Sequence, residues 1–199
     1  MSFRDQYADR KQHQSLFYRN RIAILDSLPV NDKSIVFIGD SETQSFAVAE
    51  LFNNVRCLNR GVGSDKSENI SKRLSFIIKG KPAKIFLQAG TNDLLQKVPP
   101  ATFKANMERI VNAIRIGTVG TQLYIQNILP SSRIDATQLK AFNTILKSLA
   151  TKNSLTYIDL YLNFNDNGTL KAAYDFGDGL HLSYQGYKKW TAILKPYIN

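Results

Sequence analysis

The chain has 199 residues and one cysteine, Cys57, so no disulfide can form within it. Its fold therefore does not depend on an oxidising compartment. It also has only two histidines, His13 and His181, and together with a single cysteine they give no ligand spacing typical of a zinc site. The sequence thus implies neither a metal nor another cofactor.

Long apolar runs are also lacking. No segment approaches the ~20 apolar residues that a membrane-spanning helix needs, and the first 25 residues contain no hydrophobic core of a secretion signal. We therefore expect a protein without a membrane span, cytoplasmic as the chain stands, and exported or periplasmic if a leader has been removed. Nothing in the sequence indicates the oligomeric state.

Acidic residues are few, with 16 Asp and Glu against 26 Lys and Arg, for a net charge of +10. A basic protein raises the question of a nucleic-acid partner. The basic residues are scattered among acidic ones, however, and there is no arginine-rich run or RNA-binding aromatic motif. We expect no nucleic-acid partner, whereas attraction of acidic substrates such as anionic glycans stays open.

Short runs rich in β-branched and aromatic residues alternate with helical patterns along the chain. The runs are SIVFI (34–38), VRCLN (55–59), AKIFLQA (83–89), QLYIQNI (122–128) and LTYIDL (155–160). Helical patterns occupy 4–27, 103–114, 139–149 and 183–198. Nearly continuous apolar strands are typical of parallel sheets covered on both faces. We therefore predict one three-layer α/β/α domain over residues 1–199, with an N-terminal helical segment (1–30) packed on it.

Polar segments follow the predicted strands at the points where the strands end. They are GDS (39–41), NRGVGSD (59–65), GTND (90–93) and, after the last strand, FGDGLHLS (176–183). The carboxyl ends of parallel strands meet at one edge of a sheet, and functional residues gather there. The sequence therefore predicts a single site built from these segments.

The residue types in these segments fit nucleophilic catalysis. A serine hydroxyl needs a neighbouring base, and a histidine is suited to that role. His181 is the candidate base for Ser41, because His13 lies in the polar stretch RKQHQS, which is typical of a solvated surface. Asp178, three residues before His181, is close enough to accept a hydrogen bond from the imidazole and hold its tautomer. These three residues form the predicted catalytic set.

Attack on an ester builds negative charge on the carbonyl oxygen, which fixed donors must stabilise. The candidate donors are the backbone N–H of Ser41, a backbone N–H near Gly63 and Ser64, and the side-chain amide of Asn92. An amide donates without a charge that would perturb the base. Asp40 is expected to support the turn by binding backbone N–H groups.

Each segment taken alone has an ordinary structural explanation, because Gly, Asp, Asn and Ser are common in turns and helix caps. A non-catalytic flavodoxin-like binding module, with Asp40 and Asp93 holding Mg²⁺, is the alternative from another class. The phosphate-loop pattern GxxxxGK[ST] is absent, however. An α/β-hydrolase is disfavoured because Thr43 stands where the Gly-x-Ser-x-Gly motif, otherwise matched by Gly39 and Ser41, needs its second glycine.

At these residues the chain resembles the SGNH hydrolases, also called the GDSL esterase/lipase family. The matching blocks are FIGDSETQ, NRGVGSD, GTND and DGLH. The resemblance implies a flavodoxin-like parallel sheet of five strands, a triad of Ser41, Asp178 and His181, and an oxyanion hole from Ser41, the second block and Asn92. Family members usually carry glycine where this chain has Ser64, and a non-glycine residue at positive φ costs roughly 1–2 kcal/mol.

The expected function is a serine esterase that hydrolyses small acyl esters through an acyl-enzyme. The resemblance to family members that deacetylate sugars, together with the basic composition, favours a carbohydrate O-acetylesterase acting on an acetylated glycan. Lysophospholipase, thioesterase or arylesterase activity would use the same residues.

Overall fold

In a computed structural model, residues 16–198 are described, and His13 and the rest of the predicted N-terminal segment before residue 16 lie outside this range. The strands of the main sheet are β1 (Ile35–Gly39), β2 (Cys57–Gly61), β3 (Lys84–Gln88), β4 (Gln122–Gln126) and β5 (Thr156–Ile158). All are parallel, in the order β2-β1-β3-β4-β5. This confirms the predicted five-stranded, flavodoxin-like sheet.

Helices connect the strands, as parallel pairing requires. They are α1 (16–27 within the described residues), α2 (Ser41–Gln44), α3 (Val48–Leu51), α4 (Ser67–Lys72), α5 (Ser75–Lys79), α6 (Thr91–Leu95), α7 (Pro100–Gly117), α8 (Ala136–Lys152), α9 (Tyr161–Phe164) and α10 (Tyr184–Ile198). The longer helices match the predicted ones. The short helices and the hairpin of β6 (Asn165–Asp166) and β7 (Thr169–Leu170) were not predicted, because so few residues carry no readable period.

Alternate residues of each strand face opposite sides of the sheet, and each side is covered by helices. In β1, Val36 and Ile38 contribute to one apolar cluster, which packs against α4, α5, α7 and α8. Ile35 and Phe37 contribute to the other cluster, which packs against α3, α9 and α10. Both clusters are almost fully buried. The fold is therefore the expected α/β/α sandwich, and its sheet is apolar on both faces.

The order of the strands determines where a site can form. The chain leaves β1 for β2 on one side and then crosses to β3 on the other side of β1. The loops after β1 and β3 therefore diverge, which opens a crevice at the carboxyl end of the sheet. Ser41, Ser64 and Asn92 lie in the segments that follow β1, β2 and β3.

None of the helices within residues 16–198 combines the length and apolar character needed to cross a bilayer.

Candidate active site

Ser41 is the first residue of α2 and follows β1 after a single residue, Asp40. Asp40 caps the helix, since its Oδ1 accepts from the backbone N–H of Glu42 at 3.1 Å. A side chain at Gly39 would collide with Thr43, so only glycine fits so close a return of the chain. The tight turn presents the Ser41 hydroxyl at the carboxyl end of β1.

His181 lies against Ser41, although 140 residues separate them in sequence. The Ser41 Oγ is 3.1 Å from the His181 Nε2. On the far side of the ring, the His181 Nδ1 is 2.6 Å from the Asp178 Oδ2. The structure therefore brings together the three side chains that the sequence proposed as a catalytic set, in a continuous hydrogen-bonded row.

Asp178 is held as a carboxylate by the loop that carries it. The backbone N–H of His181 donates to the Asp178 Oδ1 at 2.8 Å, and the N–H of Leu180 donates to the same oxygen at 3.0 Å. Chiefly through the bond from the His181 backbone, the pKa of Asp178 falls to about 2. Asp178 therefore stays ionised at neutral pH and can orient the imidazole of His181.

The backbone between β2 and α4 lies beside Ser41. The N–H of Gly63 is occupied, because it donates to the Gln44 Oε1 at 2.7 Å. Among residues 16–198, no acceptor takes the N–H of Ser64, whose φ of 68° is in the left-handed region. Of the two candidate backbone donors in this loop, the geometry therefore favours Ser64, with Gly63 as its neighbour.

Asn92, the second residue of α6, is tied to the same loop. Its Nδ2 donates to the backbone oxygen of Asp65 at 3.1 Å, which fixes the amide and leaves its second N–H for another acceptor. The next residue, Asp93, accepts from the N–H and the hydroxyl of Ser67 at 2.8 and 2.6 Å. These bonds join the segments that follow β2 and β3.

Asp93 therefore holds the start of α4, which differs from the role as a Mg²⁺ ligand considered in the alternative interpretation. Within the described part of the chain, no group of three or more His, Cys, Asp and Glu side chains is placed to hold a metal ion.

Asn59 is a positioning residue that sequence reasoning missed. Its Nδ2 lies within hydrogen-bond distance of the carbonyl oxygens of Thr43 at 2.6 Å and Phe46 at 2.8 Å. Its Oδ1 accepts from the N–H of Gly61 at 2.8 Å. A single amide thus fixes the end of α2 onto β2. An asparagine in an otherwise strand-forming run was the only sequence signal.

A buried ion pair supports the same region. The Arg73 Nε lies 2.6 Å from the Asp65 Oδ2, and both side chains are almost inaccessible to solvent. Arg73 also donates to the backbone oxygens of Arg60 and Gly39, at 2.8 and 3.1 Å. It therefore joins the ends of β1 and β2 and balances the charge of Asp65.

Glu42, the residue after Ser41, is buried as well. Its Oε2 accepts from the hydroxyl of Tyr187 at 3.2 Å and lies 3.4 Å from the N–H of Leu182. Burial, reinforced by the nearby charge of Asp40, raises the pKa of Glu42 to about 8. The pKa of Asp40 itself is raised by burial to about 6. Glu42 is therefore largely protonated at neutral pH.

Comparison with family models gives a match over residues 37–189, to the family described as GDSL-like Lipase/Acylhydrolase. The matched region begins within β1 and ends within α10, so it includes β2 to β5 in full and every segment of the candidate site. The chain belongs to this family. No curated protein matches it by sequence.

Solved structures of similar fold come from several bacteria. A Streptococcus pneumonia protein with the provisional name platelet activating factor is 25% identical, with 100% of both chains covered and a TM-score of 0.89. A Bacteroides thetaiotaomicron GDSL-like lipase is 19% identical, covering 90% of this chain and 96% of its own, with a TM-score of 0.79. A catalytic mutant of a Geobacillus stearothermophilus acetylxylan esterase is 16% identical, covering 85% and 95%, with a TM-score of 0.72.

Membership of this GDSL-like family makes the chain a hydrolase that acts on carboxylic esters. The family assignment and the geometry agree, since a hydroxyl, an imidazole and a carboxylate in a row are the groups that acyl transfer needs.

Proposed function

We propose that the protein is a serine esterase that works through an acyl-enzyme, with Ser41 as nucleophile, His181 as base and Asp178 as its partner. The observation that carries this is the Ser41 Oγ to His181 Nε2 distance of 3.1 Å, with Asp178 2.6 Å behind the ring. With Nδ1 protonated and bound to Asp178, Nε2 is free to accept the hydroxyl proton.

The reaction runs in two halves. In the first, Ser41 Oγ bonds to the ester carbonyl carbon as its proton passes to His181 Nε2, and the imidazolium then protonates the leaving alcohol as its C–O bond breaks. In the second, water attacks the acyl-serine with His181 again taking the proton. The free acid leaves, and Ser41 regains its proton. The negative charge of Asp178 stabilises the imidazolium in both halves.

The oxyanion of each half would be bound by the backbone N–H groups of Ser41 and Ser64 and by the Asn92 amide. Ser41 is the first residue of a helix, where N–H groups have no acceptor within the helix. Ser64 has an N–H that no described residue binds, and Asn92 is anchored by Asp65. Fixed donors of this kind are worth ~10²–10³ each in rate.

The substrate that we propose is an O-acetyl group on a carbohydrate. Two observations support it: one solved relative with the same fold is an acetylxylan esterase, and the chain carries a net charge of +10, which attracts acidic glycans. The same catalytic groups would also serve a longer acyl chain, a thioester or an aryl ester, so acyl length is the property to measure.

The test is a set of 4-nitrophenyl esters of acetate, butyrate and octanoate, assayed with wild type and variants. Ser41→Ala and His181→Ala are expected to lower kcat by ~10³ or more, and Asn92→Ala by ~10²–10³. A steep preference for acetate supports deacetylation. A preference for octanoate would overturn the acetyl assignment while leaving the esterase intact.

Matched controls separate catalysis from folding. Ser148→Ala replaces an exposed serine on α8, and His13→Ala replaces the other histidine; both are expected to keep wild-type rates. Unchanged hydrolysis by Ser41→Ala would end the proposal. If a fluorophosphonate fails to label Ser41 while the protein binds Mg²⁺ or a nucleotide, a binding module is the better description.

A further inference from the structure

A cavity of about 700 Å³ lies beside the candidate nucleophile, between α1 and the loop from β2 to α4. Gln44, Gly63 and Ser64 form the wall that it shares with the active site. A methyl group placed on Gly63 would lie 3.9 Å from the Ser41 Cβ, so this wall is one residue thick. A ligand in the cavity therefore lies within reach of the reacting centre.

The outer wall of the cavity is bonded to the inner one. The Tyr18 hydroxyl of α1 donates to the Asp65 Oδ1 at 2.6 Å and accepts from the Asn69 Nδ2 at 2.9 Å. Further along α1, the Arg21 Nε donates to the backbone oxygen of Gly61 at 3.1 Å. Three bonds from one helix face fix α1 against the β2–α4 segment, so the cavity is a built feature of the fold.

The charged groups that line the cavity are both cations, Arg21 and Lys66, and no carboxylate stands among the described residues that line it. Amide side chains supply most of the other polar groups: Asn20, Gln44, Asn69 and Gln96.

Nearby carboxylates are already bound. Asp65 pairs with Arg73 at 2.6 Å, Asp93 is bound by Ser67, and Glu68 pairs with Lys72 at 2.6 Å. The charge that the cavity presents to a ligand is therefore positive.

We propose that this cavity binds an anionic group carried by the alcohol portion of the ester, with Arg21 and Lys66 as its charged ligands and the amides binding neighbouring hydroxyls. This rests on the proposed deacetylase function. An acetyl group is too small to fill such a volume, so the cavity has room for the rest of the substrate. Guanidinium and ammonium groups bind carboxylate or phosphate through charge-assisted hydrogen bonds.

The lining disfavours a long acyl chain in the same space. Placing a hydrocarbon against these two cations would remove water from Lys66 without giving it a partner, and from the guanidinium N–H groups of Arg21 that Gly61 does not bind, which is costly. A hydroxyl-rich anion gives both cations and amides their hydrogen bonds. A carboxylate on a sugar and a phosphate on a small alcohol share this chemistry, and the experiment separates them.

The experiment measures acetate release from two matched pairs of esters. One pair is a mono-O-acetylated methyl galacturonoside and the corresponding methyl galactoside; the other is acetylglycerol phosphate and acetylglycerol. In wild type we expect kcat/KM to be about tenfold higher for the anionic member of at least one pair, the size expected of a charge-assisted contact. The pair that shows the preference identifies the anion.

Lys66→Gln is the central variant, because Lys66 makes no side-chain hydrogen bond or ion pair with another described residue. It is expected to reduce the anionic-to-neutral ratio of kcat/KM by about fivefold to tenfold. Arg21→Gln should do the same and Arg21→Lys should retain most of the ratio. Lys140→Gln, on α8 and outside this cavity, is the matched control and should leave the ratio unchanged.

Two results would overturn the inference, and they are distinguishable. If wild type hydrolyses the neutral esters as fast as the anionic ones, or if Lys66→Gln and Arg21→Gln leave the ratio unchanged, the cavity does not select an anion although the esterase stands. If no acetate is released from any ester, the proposed function fails and the inference falls with it.

Discussion

Glu42 illustrates how a single residue beside Ser41 can couple stability to pH. The residue is 3% exposed, and its Oε1 has no hydrogen-bond partner among residues 16–198. Tyr187 bonds to both its backbone oxygen and its Oε2, which joins α2 to α10. The buried carboxyl is tolerated because it is protonated, and its ionised form would have too few donors around it.

The pKa of Glu42 is about 8 in the folded state and near 4.5 when unfolded. Its protonated form therefore contributes fully to the free energy of unfolding below pH 4.5. This contribution is lost as the pH rises towards 8, since the unfolded chain ionises first. We predict that Glu42→Gln raises the stability at pH 8 by roughly 1–3 kcal/mol relative to wild type.

The measurement is urea unfolding of both proteins from pH 5 to pH 9. The stability gained through Glu42→Gln should shrink towards pH 5. A weaker dependence of the free energy of unfolding on pH should remain in both proteins, because burial raises the pKa of Asp40 too. A variant with the same pH slope as wild type would contradict the protonated state of Glu42.

Ser64 is the second position where a single residue lowers the stability of the fold by a measurable amount. Its φ of 68° is a conformation that glycine adopts freely and other L residues adopt with strain. We predict that Ser64→Gly raises the free energy of unfolding by up to about 1 kcal/mol and keeps kcat within a few-fold of wild type, because the backbone N–H is retained.

Ser64→Ala is the control for this change, since it keeps the Cβ atom and removes only the hydroxyl. It should show no gain in stability. A stabilisation as large as that of Ser64→Gly would mean that the hydroxyl, rather than the backbone conformation, is the source of the cost.

At the scale of elements, the proposed nucleophile, Ser41, is positioned by the attachment of α2 to β2. The helix has only four residues, too few to be stable by itself. A side chain at Gly61 would collide with the backbone of Thr43 and Gln44, so the two elements touch directly. Asn59 then completes the contact by bonding the carbonyl oxygens at the end of the helix.

We predict that Asn59→Ala destabilises the protein by about 2–3 kcal/mol, because it leaves several backbone groups of α2 and β2 without partners. It should also lower kcat at least tenfold by loosening the element that carries Ser41. The comparison is Asn163→Ala on α9, where the amide donates, among residues 16–198, only to the backbone oxygen of Asp159. Equal effects of the two variants on kcat would contradict a special role for Asn59.

At the scale of the whole molecule, the two apolar clusters are separated by the sheet, and α10 closes one of them. Trp190 of α10 is fully buried, stacks on Phe46 at 4.8 Å and donates from Nε1 to the Gln126 Oε1 at 2.7 Å. It therefore contacts the sheet and the segment after the nucleophile. Because Trp190 is the only tryptophan in the sequence, tryptophan fluorescence reports on that packing alone.

The prediction of one domain over residues 1–199 is tested by this probe. Tryptophan fluorescence and far-UV circular dichroism should give the same midpoint and the same slope in urea unfolding. Trp190→Phe is the control, which should abolish the fluorescence signal and lower stability by about 1–3 kcal/mol through the unpaired Gln126 oxygen. Two separate transitions would indicate independently folding parts.

The sequence by itself determined the succession of strands and longer helices along the chain. Apolar runs and helical periods are local patterns, and five to eighteen residues are enough to show them. It also placed Ser41 and Asn92 just past the ends of β1 and β3, and the Asp178–His181 pair in the segment before the last helix, since turn and capping residues mark these points.

Only the tertiary structure decided what surrounds these groups. The bonds of Asn59 and Arg73, the burial of Glu42 and the cavity lined by Arg21 and Lys66 join residues that are distant in sequence, and no local pattern encodes such contacts. Side-chain burial and hydrogen-bond partners depend on how the helices close over the sheet. That packing raises the pKa of Glu42 and places Arg21 and Lys66 around one cavity.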